Sequence, residues 1–379
     1  MQRAFGWESR SRGVYEAPPV AEPGRADFRG RRAPRGAKAR CARSRGTLAV
    51  VAAAWLSACA APTSFGGPLA VRNQHPAQLT VLHLDPRATA PVPAGTVQAR
   101  ADAAYTSLFL GGTGNGNTFG MDGEILRTGL KAEVGLGAGL SLAAELPLLH
   151  TNGGFLDAFL IDWHDLFGLP DQDRSTSPRN QFEVRATRQL NTVYELRERD
   201  LEVGDIPMAL TWSILSPEPR GPDDERRNGV GLAARVGVEW PTGDADAGFG
   251  NGEVDWSLGL LGELRTGPVA WTAHASHTFA GTPDVARRGG LDFADVTSAG
   301  LGLEWAVADR WALLVQTELE TSTLRNLDFD RVSDPQWLLW TGVRTRVSRS
   351  VAIEVALGED LSAFVAPDFT AYLGLTVQL

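Results

Sequence analysis

Lysine is nearly missing from this chain of 379 residues: it stands only at Lys38 and Lys131, so almost all positive charge is arginine. With a net charge of −9 and acidic residues spread along its length, the chain lacks the basic face that a nucleic-acid partner requires. Cysteine is confined to Cys41 and Cys59, which excludes a disulfide framework or a cysteine-based metal site in the body. No apolar stretch reaches the roughly 18 uncharged residues of a helical membrane span. Any membrane crossing must therefore be made by strands.

Residues 1–59 read as a leader. Arg40, Arg43 and Arg45 precede the apolar stretch Thr47 to Leu56, and Ser57-Ala58-Cys59-Ala60-Ala61 follows, which is the charged, apolar, small-residue order of an export signal. The arginine-rich region before it is either a long basic region or an upstream start. Leu56-Ser57-Ala58-Cys59 has the form of a lipobox, with Cys59 the candidate for lipidation, while Ala58-Cys59-Ala60 suits ordinary signal cleavage. Residues 60–94, rich in proline from Pro86 to Pro93, are expected to be a periplasmic or lumen-entering segment.

From residue 95 to 379, segments of about 10 residues alternate apolar and polar side chains, the signature of a transmembrane barrel strand. The pattern recurs about twelve times, from Val97–Tyr105 to Phe369–Leu379. Tight turns such as Gly137-Ala138-Gly139, Thr266-Gly267-Pro268 and Ser348-Arg349-Ser350 alternate with longer polar connections: Gly111 to Gly120, Thr151 to Val203, Pro241 to Gly252, Gly281 to Phe293, Arg325 to Pro335 and Glu359 to Asp368. Short periplasmic turns and long outer loops alternate in this way in outer-membrane barrels. The expected fold is an all-β, antiparallel up-and-down transmembrane β-barrel of about twelve strands, with fourteen as the alternative.

Tryptophan placement points the same way. On the apolar parity, Trp212, Trp271, Trp305 and Trp311 lie toward the tight turns, and Trp240, Trp256 and Trp337 toward the long loops. Two aromatic rows suit two membrane–water interfaces. The opposite parity carries Arg127, Lys131, Glu133, Glu145, Arg235, Glu239, Asp255, Glu263, Arg265, Glu304, Glu318, Glu320, Arg344, Arg346 and Glu354. So many charges on one face require water or partners, and they are expected to line a lumen that is either a hydrated path or a salt-bridged filling.

The connection from Thr151 to Val203 holds a helical pattern. Phe155, Phe159, Trp163, Leu166 and Phe167 recur at helical spacing between Gly153-Gly154 and Gly168-Leu169-Pro170. This helix is expected either to gate the barrel mouth or to lie on the membrane surface, and Phe182 to Tyr194 reads as a hairpin of the same loop.

Catalytic chemistry is thin. His274 and Ser276 share the polar parity of one strand, and such a pair resembles that of outer-membrane phospholipases, but the orienting partner and calcium loop of those enzymes are not identifiable. Asp244-x-Asp246-x-Gly248 with Asp255 is an acidic loop in which Phe249 stands where a calcium loop needs glycine. No enzyme activity, metal or cofactor is expected.

Several motifs together resemble an uncharacterised family of bacterial outer-membrane barrels, DUF3187. They are Arg72-Asn73-Gln74-His75-Pro76, Met121-Asp122-Gly123-Glu124, Glu145-Leu146-Pro147-Leu148, Gly153 to Phe159, Trp163 to Pro170, Gly204-Asp205 and Pro241-Thr242-Gly243-Asp244. The resemblance covers residues 65 to 379 and implies a barrel while transferring no site residues. The combined expectation is an exported outer-membrane barrel acting as a passive channel or transporter for small or amphipathic molecules. A lipid-modifying enzyme and a sealed structural barrel are the alternatives. The expected partners are outer-membrane lipids and lipopolysaccharide, with the barrel-assembly machinery during biogenesis.

Overall fold

The structure, a computed structural model, describes residues 66–168, 174–217, 228–362 and 366–379. The leader with Cys41 and Cys59 lies outside the described residues, as do Leu169-Pro170 and most of the connection from Ser216 to Asn228. Three long strands come first: β1 (Val97–Gly114), β2 (Asn117–Gly137) and β3 (Leu140–Asn152). After the helix α1 (Asp157–Phe167) come β4 (Glu183–Arg188), β5 (Asn191–Leu196) and β6 (Arg199–Val203). The rest are β7 (Ile206–Leu215), β8 (Gly229–Trp240), β9 (Asp255–Thr266), β10 (Val269–Phe279), β11 (Val296–Ala308), β12 (Trp311–Glu320), β13 (Gln336–Arg346), β14 (Val351–Asp360) and β15 (Phe369–Gln378).

Twelve of these strands close into an antiparallel barrel. β1, β2 and β3 pair in sequence, β3 pairs with β7, each later strand pairs with the next, and β15 returns to β1 with Gln98 opposite Gln378. The count is twelve rather than fourteen because β4, β5 and β6 stay out of the wall. The β4–β5 hairpin extends the loop end of β2, with Asn117 opposite Arg188, and β6 pairs only with Leu148 to Thr151 of β3.

The period-two pattern sorts the side chains as a barrel requires. All seven tryptophans of the two rows point outward, as do Leu258, Leu260, Leu301, Val315 and Leu373, whereas residues such as Glu263, Glu304, Glu318 and Arg344 are buried inside. The sequence reading of Gly111 to Gly120 as a loop is corrected: β1 and β2 run on as a paired hairpin to Gly114 opposite Asn117. Its two-residue turn is Asn115-Gly116, with φ of 53° and 80°. Asn-Gly tolerates two left-handed residues in succession, the geometry that lets twisted strands reverse tightly.

Candidate functional site: a filled lumen

The segment before β1 occupies the inside of the barrel. Prolines at 68, 76, 86, 91 and 93 keep residues 66–94 from joining the ladder, so their backbone polar groups must find partners among side chains. The charged inner wall supplies them.

The first arm rises from the tight-turn end. Glu304 accepts from the N–H groups of Gly66 (3.2 Å) and Gly67 (2.9 Å), and Gln316 takes the N–H of Leu69 at 3.0 Å. Asn73 donates to Gln336. Leu69 and Val71 pack with Leu314, Leu338, Trp340 and Tyr372. A single 3-10 turn, Gln78–Thr80, reverses the chain at the long-loop end. There Gln78 bonds the carbonyl of Thr321 and the N–H of Thr323, and Arg72 donates to the carbonyls of Gln78 (2.7 Å) and Val81 (3.0 Å).

The second arm descends. Asp255 accepts from the N–H of Leu82 at 3.0 Å, Lys131 pairs with Asp85, Arg235 donates to the Asp85 carbonyl at 2.7 Å, and Arg87 pairs with Glu133. Glu263 takes both the N–H and the hydroxyl of Thr89, at 3.0 and 2.7 Å. The wall is cut to fit: a Cβ on Gly237 of β8 would stand 2.7 Å from Leu84. The segment leaves at Ala94, bridged to Gly135.

Every charged residue singled out for the lumen lies on the inward parity of its strand. Most of them fall into charge-paired groups, whereas Arg235 and Asp255 bond neutral partners, the Asp85 carbonyl and Asn251 among them. Arg127 and Lys131 share Glu145; Arg344 bridges Glu304 (2.8 Å) and Glu354 (2.6 Å), and Arg100 joins Glu354 from the other side. Arg265 pairs with Glu263, His83 stands 3.7 Å from Glu320, and His274 stands 3.6 Å from Glu318. Between the two arms and the wall, a cavity of about 340 Å³ remains at the tight-turn end, bordered by Arg87, Pro91, Glu133, Ala209, Arg346 and Ser350.

At the long-loop end the mouth is closed by an apolar core. Ala77 and Val81 of the luminal segment are buried with Phe119 and Met121 of β2, Tyr194 of β5, Phe249, Phe293, Leu324 and Leu327. This core, and not α1, covers the mouth. The gate reading of Phe155, Phe159, Trp163 and Leu166 is therefore corrected, while the side chain of Phe167 lies outside the described ones. Phe155 stacks on Tyr105, and Phe159 and Trp163 pack edge-on against Phe369, whose side chains all face outward from β1 and β15. Helix α1 thus lies against the outer side of the wall, with Phe155 70% and Leu166 75% exposed. Arg174 clamps it there by donating to Asp157 (2.6 Å) and Asp368 (2.8 Å). A helical stripe specifies an apolar face without specifying which surface it meets.

His274 and Ser276 both face inward, but the hydroxyl of Ser276 is bonded to Ser298 at 2.7 Å and no hydrogen bond joins it to His274. The acidic loop is likewise engaged. Asp244 caps the turn Ala245–Ala247 through the N–H of Ala247, and Asp255 accepts from Asn251, Leu82 and Gly281. Asp205, just before β7, accepts the N–H groups of Gly243 (2.8 Å) and Asn251 (3.1 Å); burial raises its carboxyl above the ordinary range, against the pull of those donors.

None of the curated proteins matches the chain in sequence. Among solved structures, the fold is similar to the COG4313 outer-membrane channel from Pseudomonas putida F1, at 12% identity and a TM-score of 0.48, covering 78% of this chain and 100% of that one. It is also similar to the NanC porin, at 8% identity and a TM-score of 0.42, over 75% and 100% of the two chains. The CymD monoaromatic hydrocarbon channel aligns at 13% identity and a TM-score of 0.33, over 84% and 97%. In sequence, the model of a family of proteins of unknown function, DUF3187, matches residues 46–379, and the chain belongs to that family.

Proposed function

We propose that this protein is an outer-membrane channel whose lumen is occupied by its own N-terminal segment, with the tight turns in the periplasm and the long loops at the cell surface. One observation carries the reading. The inner wall is a charged surface, and residues 66–94 are held to it largely by hydrogen bonds and ion pairs, beside a cavity that reaches the tight-turn end. When the segment leaves, both partners of such contacts are rehydrated, which offsets much of their loss, whereas a wall built only for closure is better made apolar. Passage of small or amphipathic molecules follows displacement of this segment. Residues 1–59 serve as the export leader, and the barrel-assembly machinery inserts the strands. The outward apolar face meets lipid, and the exposed side of α1 meets the interfacial lipids and lipopolysaccharide.

The test is planar-bilayer conductance of the refolded chain beside a Glu263→Gln/Glu304→Gln variant, which weakens the hold on both arms. Rare openings in the parent and frequent ones in the variant are expected. A second reading, a sealed structural barrel, is favoured by the apolar core closing over the turn at Gln78–Thr80. A folded protein that stays insulating in both forms would establish that reading instead.

A further inference from the structure

Arg235 of β8 stands apart from the ion-paired cations of the inner wall. Four carboxylates border the luminal cavity, and each already has a cation: Glu133 pairs with Arg87, Asp85 and Glu145 with Lys131, and Glu354 with Arg100 and Arg344. Arg235 borders the same cavity, yet among the described residues it is in no ion pair. Its guanidinium donates to a neutral acceptor, the Asp85 carbonyl, at 2.7 Å, and its Nε is buried without a hydrogen-bond partner. A charge drawn from water in this way is costly unless an opposite charge joins it. Wall and segment have spent theirs on other cations, so the place left for a counter-charge is the cavity itself.

The rest of the cavity narrows what can bring that charge. Leu84 and Pro91 of the luminal segment, Ala143 of β3, Ala209 of β7 and Ala352 of β14 give it apolar sides. Its volume of about 340 Å³ falls within the roughly 300–1,000 Å³ usual for small-molecule sites, which are mostly apolar with a few fixed polar groups. Its border includes the exposed turn Ser348-Arg349-Ser350 at the tight-turn end, where Arg346 and Arg349 add positive charge that draws anions inward. One guanidinium matches one carboxylate, through a two-pronged fork of N–H donors. A dianion such as a phosphate monoester would bring a second charge against alanine and proline.

We infer that the luminal cavity is a binding site for small monocarboxylates with an apolar body, whose carboxylate pairs with Arg235. The site stands on the cavity and on Arg235; that its ligand is also cargo rests on the channel reading.

The experiment is titration calorimetry of the full chain, refolded in dodecyl maltoside, with sodium benzoate and with benzamide, which has the same ring without the charge. Benzoate is expected to bind, and benzamide to bind about tenfold more weakly or less, the factor that a hydrogen bond to a charged group supplies. Arg235→Gln keeps a donor for the Asp85 carbonyl and removes the charge, so it should lower the affinity for benzoate to that for benzamide, and Arg235→Lys should recover part of it. If Arg235→Gln does not fold, the parent alone decides: benzoate should slow the modification of Arg235 by phenylglyoxal several-fold, read by mass spectrometry of its peptide, and benzamide should not. No binding of benzoate, equal binding of benzoate and benzamide, an affinity that Arg235→Gln leaves unchanged, or an Arg235 that benzoate does not protect overturns the site. Ion conductance of the same preparations reports separately on the channel reading. An insulating barrel that binds benzoate through Arg235 keeps the site and loses the channel, whereas a conducting barrel that does not bind it keeps the channel and loses the site.

Discussion

Lys131 on β2 holds Asp85 of the luminal segment with one face of its ammonium and Glu145 of β3, at 3.0 Å, with the other. It is the only lysine after Lys38, and it joins the wall to the segment that fills it. Lys131→Met leaves two carboxylates facing each other without their shared cation. Removing one partner of a buried pair costs 3–5 kcal/mol, and because the lysine side chain is 20% exposed the lower end, about 3 kcal/mol, is expected. Adding Asp85→Asn should recover part of this loss. Urea unfolding of the refolded barrel, followed by heat-modifiable gel mobility, measures both; a single variant as stable as the parent would show the pair to be dispensable.

The wall was legible because a barrel strand has two unlike faces and period two keeps them apart, as in Val230 to Trp240 and Trp311 to Leu319. The charged face was legible as inward, but its partners were not. Gly67 meets Glu304 and Leu82 meets Asp255 across more than 170 residues, and an extended, proline-punctuated segment has no periodicity to announce where it goes. Helix α1 was visible from Phe155 to Phe167, yet its stripe suits an outer wall as well as a mouth. The clue passed over at β1–β2 was Asn115-Gly116, a hairpin signal hidden among neighbouring glycines.

Where the luminal segment leaves the barrel, Gly135 of β2 has no room for a side chain. A Cβ there would stand 2.2 Å from the carbonyl oxygen of Pro93 and 2.4 Å from that of Val92, both backbone atoms that cannot swing aside. Gly135→Ala should cost about 1–3 kcal/mol by overpacking. Gly262→Ala on β9, whose Cβ would meet only the Ala273 carbonyl at 4.0 Å, should change stability by about 0.5 kcal/mol or less. Equal urea midpoints for the two variants would contradict the close fit of the segment at its exit.

Because α1 rests on the outer side of β1 and β15, weakening it should not change what flows through the lumen. Phe159→Ala/Leu166→Ala is expected to leave single-channel current at the parent value. A bimane label on Leu166→Cys, at a position 75% exposed, should be quenched by brominated phosphatidylcholine. A larger current with an unquenched label would return the helix to the mouth.

Arg174 fastens that helix by geometry as much as by charge. Its guanidinium reaches Asp157, Asp368 and the hydroxyl of Ser107 at once, and its centre stands 4.6 Å from the ring centroid of Phe109. Lysine keeps the positive charge but is a point donor that does not match the planar fork or stack on the ring. Arg174→Lys should therefore loosen α1 by about 1–3 kcal/mol, the size of a hydrogen bond to a charged group, while the wall strands, which do not depend on this contact, hold. Limited proteolysis within 153–182 should speed up several-fold with the unfolding midpoint of the barrel unchanged. If cleavage stays at the parent rate, the apolar contacts of Phe159 and Trp163 with Phe369 suffice to hold the helix, and the arginine contributes little.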